Sequence, residues 1–229
     1  SAETLNLLRS LASCHKFSNV NINDWKTDFS SAIYESESMT RLLEGLTQSI
    51  NLLKASELDE SRKVNHAKLY TGHEGMLLNY EACMTRKDRF TGKQYDCSAH
   101  FLWIGERTRD IDGAHIEFFK GINNPIGIKL SDKIEPGELI RLLNILNPTN
   151  TPGRICLITR MGGAIREKLP TLIDTVQAKQ KNVVWVCDPM HGNGKVVNGT
   201  KTRDFNDIME EVVAFFEIHA EKKTVAGGV

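Results

Sequence analysis

Three basic residues, Arg107, Lys129 and Arg160, each follow a separate apolar stretch of the sequence. A guanidinium group binds phosphate oxygens in pairs, and a lysine ammonium supplies a point charge suited to a carboxylate. If the three side chains converge, they form a site for a compact, multiply charged anion, and a phosphorylated acid is the favoured ligand. Each residue alone is equally compatible with a solvated loop. Their recurrence after successive apolar stretches is what favours a binding site.

Two glutamates, Glu74 and Glu106, also lie at the ends of apolar stretches, and more than one role is open for each. Glu74 follows the segment AKLYTGH, and Glu106 directly precedes Arg107. Glu74 could contact a substrate, or it could stabilise the amino terminus of the following helix through the helix dipole. A cluster of cations costs free energy unless each has an anionic partner, so Glu106, Asp110 or Asp112 could instead neutralise the basic residues.

The stretch VVWVCDPMHGNGK places His191 at the end of a predicted buried strand. Pro189 ends this strand, and Gly192 and Gly194 permit a sharp loop beyond it. A histidine held there could bind a metal through a neutral nitrogen or transfer a proton. His-x-x-His and His-Glu-x-x-His spacings are absent from the sequence, so His191 alone gives weak support for a metal site.

The elements that position these residues alternate between strands and helices from residue 67 onward. A short apolar run followed by a helical pattern occurs five times. This alternation predicts an α/β fold with a parallel sheet, either open and doubly wound or closed into a barrel. In both architectures ligands bind at the carboxyl ends of the strands, where the candidate residues lie. The predicted strands are residues 67–74, 100–106, 125–130, 154–163 and 182–188, and the predicted helices are residues 75–86, 112–122, 136–146, 165–179 and 205–221.

The first 66 residues have a different pattern. Leu5, Leu8 and Leu11 recur at helical spacing, and a second apolar stripe begins at Leu42. We therefore predict two parts, a helical segment over residues 1–66 that packs on the rest of the fold, and βα units over residues 67–229.

Composition argues against several classes of partner. Lys+Arg and Asp+Glu both number 29, and the zero formal net charge argues against nucleic acid. No apolar run is long enough to span a bilayer, and the first residues lack a signal-peptide pattern, so we expect no membrane association. The five cysteines include no Cys-x-x-Cys pair, which argues against a disulfide framework or a structural zinc site. Together these features predict a reducing, cytoplasmic environment.

Several motifs together resemble one enzyme family. The sequence contains, in this order, HEGMLLNYE, SAHFLWIGERTRDIDGAHIEF, NPIGIKL, GRICLITRMG, CDPMHGN and KTRDF. It is similar in these motifs to the class II 3-deoxy-D-arabino-heptulosonate 7-phosphate (DAHP) synthases. The resemblance implies a (β/α)8 TIM barrel, with the helical segment 1–66 packed on it. It also implies condensation of phosphoenolpyruvate with erythrose 4-phosphate, the first step of the shikimate pathway toward chorismate and the aromatic amino acids.

The resemblance further implies a cofactor, partners and residue roles. A divalent metal is required, with Mn²⁺ favoured and Co²⁺ or another divalent ion as alternatives. We expect a homo-oligomer in the cytoplasm, or in the plastid if the source is a plant. His191 would bind the metal, Glu106 would lie beside phosphoenolpyruvate, and Glu74 would face the aldehyde substrate. The residues that would hold the phosphate and carboxylate of phosphoenolpyruvate are Arg107, Lys129 and Arg160.

The sequence also departs from the family pattern. Members carry a metal-binding cysteine and a Lys-Pro-Arg motif before the matched region, and a metal-binding glutamate and aspartate after it. Neither pair occurs here, so we expect a fragment with strands three to seven of the barrel, two open sheet edges and weak activity on its own. Two alternatives stay open, an aminoDAHP synthase-like enzyme of secondary metabolism and a noncatalytic fragment that binds an anion.

Overall fold

The structure, a computed structural model, describes residues 70–229 and six isolated helical positions nearer the amino terminus. These six are Leu7, Ser10, Arg41, Glu44, Gly45 and Gln48. The chain divides into two compact units, Ser1–Tyr70 and Thr71–Val229. Apart from the six positions, the predicted helical segment 1–66 lies outside the described residues, so that part of the domain assignment stays a prediction.

The second unit alternates strands and helices, as the sequence predicts. Two 3₁₀ turns, Glu106–Thr108 and Gly162–Ala164, begin within the last residues of the second and fourth predicted strands. In chain order the other elements are β1 (Gly72–Glu74), α1 (Leu78–Met84), β2 (Thr85–Lys87), β3 (Gln94–Asp96), β4 (Phe101–Ile104), α2 (Ala114–Gly121), β5 (Ile126–Leu130), α3 (Pro136–Leu146), β6 (Ile155–Thr159), α4 (Ile165–Ala178), β7 (Val184–Cys187), α5 (Pro189–Gly192), β8 (Lys195–Val197), β9 (Thr200–Thr202) and α6 (Phe205–Glu221).

Five strands form one parallel sheet in the order β1-β4-β5-β6-β7. Each strand lies beside the next predicted strand along the chain, which is the arrangement of consecutive units in a (β/α)8 barrel. The predicted α/β class with about five parallel strands is therefore confirmed. All five carboxyl ends meet at one edge of the sheet, because parallel strands share a direction.

One face of the sheet forms the core with the crossover helices. Its side chains alternate along each strand and pack with the apolar stripe of α3, which begins at Pro136 with a proline suited to a first helical position. Burial of each leucine or isoleucine contributes about 1.5–3 kcal/mol relative to exposure. The strand residues of this face, at most 1% exposed, are Leu102, Ile104, Ile126, Ile128, Leu130, Ile155 and Leu157.

Two antiparallel hairpins were not predicted. In the first, β2 pairs with β3, so the predicted helix 75–86 is wrong at its end and stops at Met84. In the second, β8 pairs with β9 through Asn198 and Gly199, which have φ values of 51° and 78°. Two positive φ values are the requirement of a type I′ hairpin turn, for which Asn-Gly is the usual sequence. The dipeptide was therefore a readable signal.

The carboxyl-terminal residues lie along β7 as a further parallel segment. Ala226 bridges Trp185 in parallel, Gly227 N donates to Trp185 O at 2.8 Å, and Cys187 N donates to Gly228 O at 3.0 Å. A Cβ added at Gly227 would lie 2.7 Å from Trp185 O, so only glycine permits this close approach. These residues therefore cover part of the β7 edge that the prediction leaves open.

Acidification is expected to destabilise the fold through His219. This residue is 1% exposed, its Nδ1 lies 2.6 Å from Thr224 Oγ1, and its Nε2 has no hydrogen-bond partner within residues 70–229. Burial lowers the pKa of His219 below its ordinary 6.5. As the pH decreases below 6.5, His219 becomes protonated in the unfolded chain but stays neutral in the folded one. The free energy of unfolding therefore decreases until the pH reaches the folded-state pKa of His219. The slope is at most about 1.4 kcal/mol per pH unit.

Urea unfolding at several pH values would measure this effect, with His219→Gln as the comparison. Carboxyl groups also titrate as the pH decreases, but both proteins contain the same ones, so their contribution cancels in the difference between the two stabilities. The stability of the wild type should fall relative to that of the variant as the pH decreases. Parallel pH profiles for the two proteins would show that His219 is not responsible.

Candidate active site

The sequence-predicted site residues all lie at the carboxyl edge of the sheet. Glu74 ends β1, Lys129 is the fourth residue of β5, and Arg160 directly follows β6. The 3₁₀ turn after β4 carries Glu106 with Arg107, and His191 lies in the short helix α5 after β7. The shared edge follows from parallel pairing, and the contacts below decide which side chains meet.

Lys129 lies on the face of the sheet opposite the helices. Its neighbour in the strand, Gly127, pairs with Trp103, and a Cβ added at Gly127 would lie 2.7 Å from the Trp103 Cβ. The glycine thus leaves room for the indole, and Lys129 Nζ lies 5.7 Å from the centroid of that ring. A cation at this distance from an aromatic face is attracted to it. The ammonium group therefore lies near an aromatic face, on a residue close to the carboxyl end of β5.

An aspartate joins the lysine to the histidine. Asp188 accepts from Lys129 Nζ and lies 2.8 Å from His191 Nδ1 through its Oδ2, while its Oδ1 accepts from the backbone N–H of Met190 and His191. Burial raises the pKa of Asp188, but the hydrogen bond and charge of Lys129 and the charge of His191 together outweigh burial and leave the pKa lowered. Asp188 is thus a carboxylate that fixes both neighbours.

Arg160 completes this part of the site. Its backbone N–H donates to Leu130 O at 2.8 Å, which continues the sheet ladder, and its guanidinium NH2 donates to His191 O at 2.7 Å. Its Nε is buried and has no hydrogen-bond partner within the described part of the chain. A buried donor without a partner is uncommon in folded proteins, and Arg109 Nε is unpaired in the same way among the described residues.

Arg109 has a structural role, in contrast to Arg107 in the same loop. It is 7% exposed, and its two guanidinium NH2 groups contact Glu106 Oε1 at 2.9 Å and Glu138 Oε1 on α3. The second Glu106 oxygen accepts from Ser131 N at 2.8 Å, and Ser131 Oγ donates to Glu106 Oε1. Glu106 therefore neutralises Arg109, and its carboxylate is held rigidly against the end of β5.

Arg107 is exposed and forms no hydrogen bond or ion pair with any residue in 70–229. On the adjacent strand, Glu74 places its carboxylate against Gly105, where an added Cβ would overlap Glu74 Oε1 and lie 3.4 Å from Thr108 Oγ1. Gly105 thus provides the space that Glu74 occupies beside the turn. Arg107 and Glu74 therefore both lie at the carboxyl edge, the arginine exposed and the glutamate beside Gly105.

Comparison with known proteins identifies the family. The sequence model of the Class-II DAHP synthetase family matches residues 1–229. The chain belongs to this family. It is 39% identical over 231 residues to a phospho-2-dehydro-3-deoxyheptonate aldolase of Streptomyces coelicolor, covering 100% of the chain and 51% of that protein. It is 38% identical over 232 residues to the Mycolicibacterium smegmatis protein of the same name, covering 98% and 50%.

A plant protein is also similar to part of this class-II chain. It is a "probable phospho-2-dehydro-3-deoxyheptonate aldolase, chloroplastic" of Catharanthus roseus, 54% identical over 162 residues, which cover 70% of the chain and 33% of that protein. The chain thus spans about half of the length of two of these relatives, and the match covers a third of the other.

His191 could serve as a metal ligand through one of its ring nitrogens. Asp188 contacts its Nδ1, which leaves Nε2 on a side chain that is 64% exposed. A carboxylate on one ring nitrogen fixes the tautomer and the orientation of the ring. The described residues contain no group of three His, Cys, Asp or Glu side chains that could hold a metal ion. Residues 70–229 therefore provide one candidate ligand and not a complete site.

Sequence reasoning missed several residues that shape this site. Asp110 and Asp112, considered there as counterions, form no ion pair within residues 70–229, and Asp188 neutralises Lys129 instead. A carboxylate at the end of a strand, three positions before a histidine, was the available signal. The missed residues are Trp103, Ser131, Asp188 and Glu211.

Proposed function

We propose that the protein containing this chain condenses phosphoenolpyruvate with erythrose 4-phosphate to give DAHP and phosphate, the transferase reaction that begins the shikimate pathway. The observation that carries the proposal is the set of three cations at one sheet edge, Arg107, Lys129 and Arg160, of which two keep donors unpaired within residues 70–229. Family membership and the names of the relatives support the same reaction.

The cations of this chain bind and orient phosphoenolpyruvate. The guanidinium groups of Arg107 and Arg160 match phosphate oxygens, and the ammonium of Lys129 suits the carboxylate. Fixing both ends of the substrate presents its methylene carbon to the aldehyde carbon of erythrose 4-phosphate, which Glu74 faces. The new carbon–carbon bond forms from the enol π electrons while the π bond of the aldehyde breaks and its oxygen takes up a proton, and positive charge develops at the neighbouring carbon.

Water then adds at the positive carbon and loses a proton. The carbon–oxygen bond to phosphate breaks, phosphate departs with the bonding electrons, and the carbon becomes a ketone. Arg107 and Arg160 stabilise the charge on the departing phosphate. Glu106 lies beside the substrate, and its bonds to Arg109 and Ser131 hold it in one position. A divalent ion, for which we favour Mn²⁺, would be held in part by His191 and would polarise the aldehyde as a Lewis acid.

The remaining expectations belong to the same proposal. We infer a homo-oligomer with no nucleic-acid or membrane partner, located in the cytoplasm or, in a plant, in the plastid. Among the described residues, no helix is long and apolar enough to cross a bilayer, and the name of the Catharanthus roseus relative includes the word chloroplastic.

Phosphate release is the direct test of the proposed reaction. The full-length protein, supplied with phosphoenolpyruvate, erythrose 4-phosphate and Mn²⁺, should release phosphate, and omission of either substrate should abolish release. Binding of phosphoenolpyruvate without turnover would instead indicate a noncatalytic anion-binding protein. An amino-sugar analogue accepted in preference to erythrose 4-phosphate would indicate the secondary-metabolism enzyme.

Arg160→Ala is expected to raise the Michaelis constant for phosphoenolpyruvate about tenfold or more, because a charge-assisted hydrogen bond contributes roughly 1.5–3 kcal/mol. The constant for erythrose 4-phosphate should change much less. Arg166→Ala is the matched control, since Arg166 forms an exposed ion pair with Glu217 at 2.7 Å and lies on α4. Unchanged kinetics in Arg160→Ala would contradict the assigned role.

A further inference from the structure

Glu211 is a buried carboxylate that the reaction described above does not use. It lies on α6, is 1% exposed, and accepts hydrogen bonds from Met161 N at 2.7 Å, from the backbone N–H of Gly162, and from Asn193 Nδ2 at 2.6 Å. Burial raises the pKa of Glu211, and these three hydrogen bonds oppose that effect. A buried acid with three donors requires a structural or functional reason, because desolvation of a carboxylate is costly.

The donors to Glu211 come from the two loops that carry site residues. Met161 directly follows Arg160, and Asn193 lies two positions after His191. Asn193 Nδ2 also donates to Pro189 O at 2.9 Å, which ties the side chain to the start of α5. One carboxylate thus connects the loop after β6 to the loop after β7.

The backbones of these two loops are in direct contact. A Cβ added at Gly192 would lie 2.7 Å from Gly162 N and 3.0 Å from the carbonyl carbon of Arg160. The Arg160 guanidinium in turn donates to His191 O at 2.7 Å. The two loops are therefore so close that only glycine fits at position 192. Glu211, on α6, contacts both loops and holds them together.

We propose that Glu211 is a positioning residue for the phosphoenolpyruvate site, which sets the separation of Arg160 and His191 without touching substrate. This inference rests on the proposed function. A residue that only anchored α6 would affect stability when replaced, but the folded variant would still bind phosphoenolpyruvate normally. Glu211 contacts the loops that carry Arg160 and His191, so its loss should weaken phosphoenolpyruvate binding through Arg160 even without added metal.

Glu211→Ala in the full-length protein should raise the dissociation constant of phosphoenolpyruvate, measured by titration calorimetry, about tenfold, since small displacements of binding groups are costly. The titration is carried out without added metal, so that a change in metal binding at His191 does not contribute to the measured constant. Glu211→Gln keeps one oxygen that can accept from the Met161 N–H. Its NH2 group would face the NH2 group of Asn193, so that hydrogen bond is lost. An intermediate dissociation constant is therefore expected. Glu210→Ala, an exposed neighbour on the same helix, is the matched control.

The outcomes separate this inference from the proposed function. If the wild-type protein does not bind phosphoenolpyruvate, the proposed function fails and the inference fails with it. If the wild type binds and both Glu211 variants bind equally well, the positioning role is wrong and the function stands. If Glu211→Ala does not fold, the same titration of Glu211→Gln decides, because that variant keeps the size of the side chain.

Discussion

Lys129→Met should weaken binding of phosphoenolpyruvate about a hundredfold or more, because truncating one member of a buried charge pair costs roughly 2–5 kcal/mol and a cation is lost. The Lys129 side chain is only 14% exposed, so solvent screens its charge weakly. Methionine is an unbranched side chain of similar length without a charge. The substitution therefore removes the charge with little change in shape.

The loss of Lys129 also changes the role of Asp188. Its carboxylate would lose the ammonium and would place uncompensated negative charge beside an anionic substrate. Adding Asp188→Asn to Lys129→Met should therefore recover part of the affinity, since the double variant removes the repulsion. Titration calorimetry with phosphoenolpyruvate measures both effects, and Lys133→Ala, at an exposed lysine after β5, is the control. Equal affinity of wild type and Lys129→Met would exclude the lysine from the binding site.

Local signals explain why most of the fold could be predicted from the sequence. The bounds of α3 and α6 agree with the prediction, because each helix has a start signal that acts within a few residues. Pro136 is the first residue of α3, and the Asp204 side chain accepts from Asn206 N at 3.0 Å to cap α6. Five alternations of strand and helix then leave few topologies other than a parallel sheet.

The missed residues depend on contacts between distant parts of the chain. Glu211 bonds to Met161, and Lys129 bonds to Asp188, across separations that no periodic pattern encodes. The carboxyl-terminal segment was missed for the same reason, since Ala226 forms a strand contact only because β7 offers a free edge. The sequence patterns thus predicted the sheet edge at which the site forms. The contacts among the side chains of the site depend on tertiary packing, which those patterns do not encode.

Arg107 and Arg109 show this limit most directly. They are two positions apart in one loop, and the sequence predicts cationic side chains at both. Only Glu138, on the helix after the next strand, distinguishes them, because it reaches Arg109 and buries it against Glu106. Arg107 is left exposed, without a partner in residues 70–229. The two arginines should therefore respond to replacement in opposite ways.

Arg109→Met is expected to lower the free energy of unfolding by about 3–5 kcal/mol, the usual cost of breaking a buried ion pair by removing one partner. Two carboxylates, Glu106 and Glu138, would lose their shared cation while remaining partly buried. Urea unfolding of the variant and the wild type measures the change. Neutralising one acid by adding Glu138→Gln should recover part of the loss, since less unpaired charge stays in the fold.

Arg107→Met provides the matched comparison, because the side chain is exposed and pairs with no residue in 70–229. Its free energy of unfolding should stay within about 0.5 kcal/mol of the wild type, as for ordinary surface substitutions. Its affinity for phosphoenolpyruvate should nevertheless fall, since a guanidinium group is lost from the site. If Arg107→Met proved as destabilising as Arg109→Met, the exposed arginine would have a structural role, and the site would need a different phosphate-binding residue.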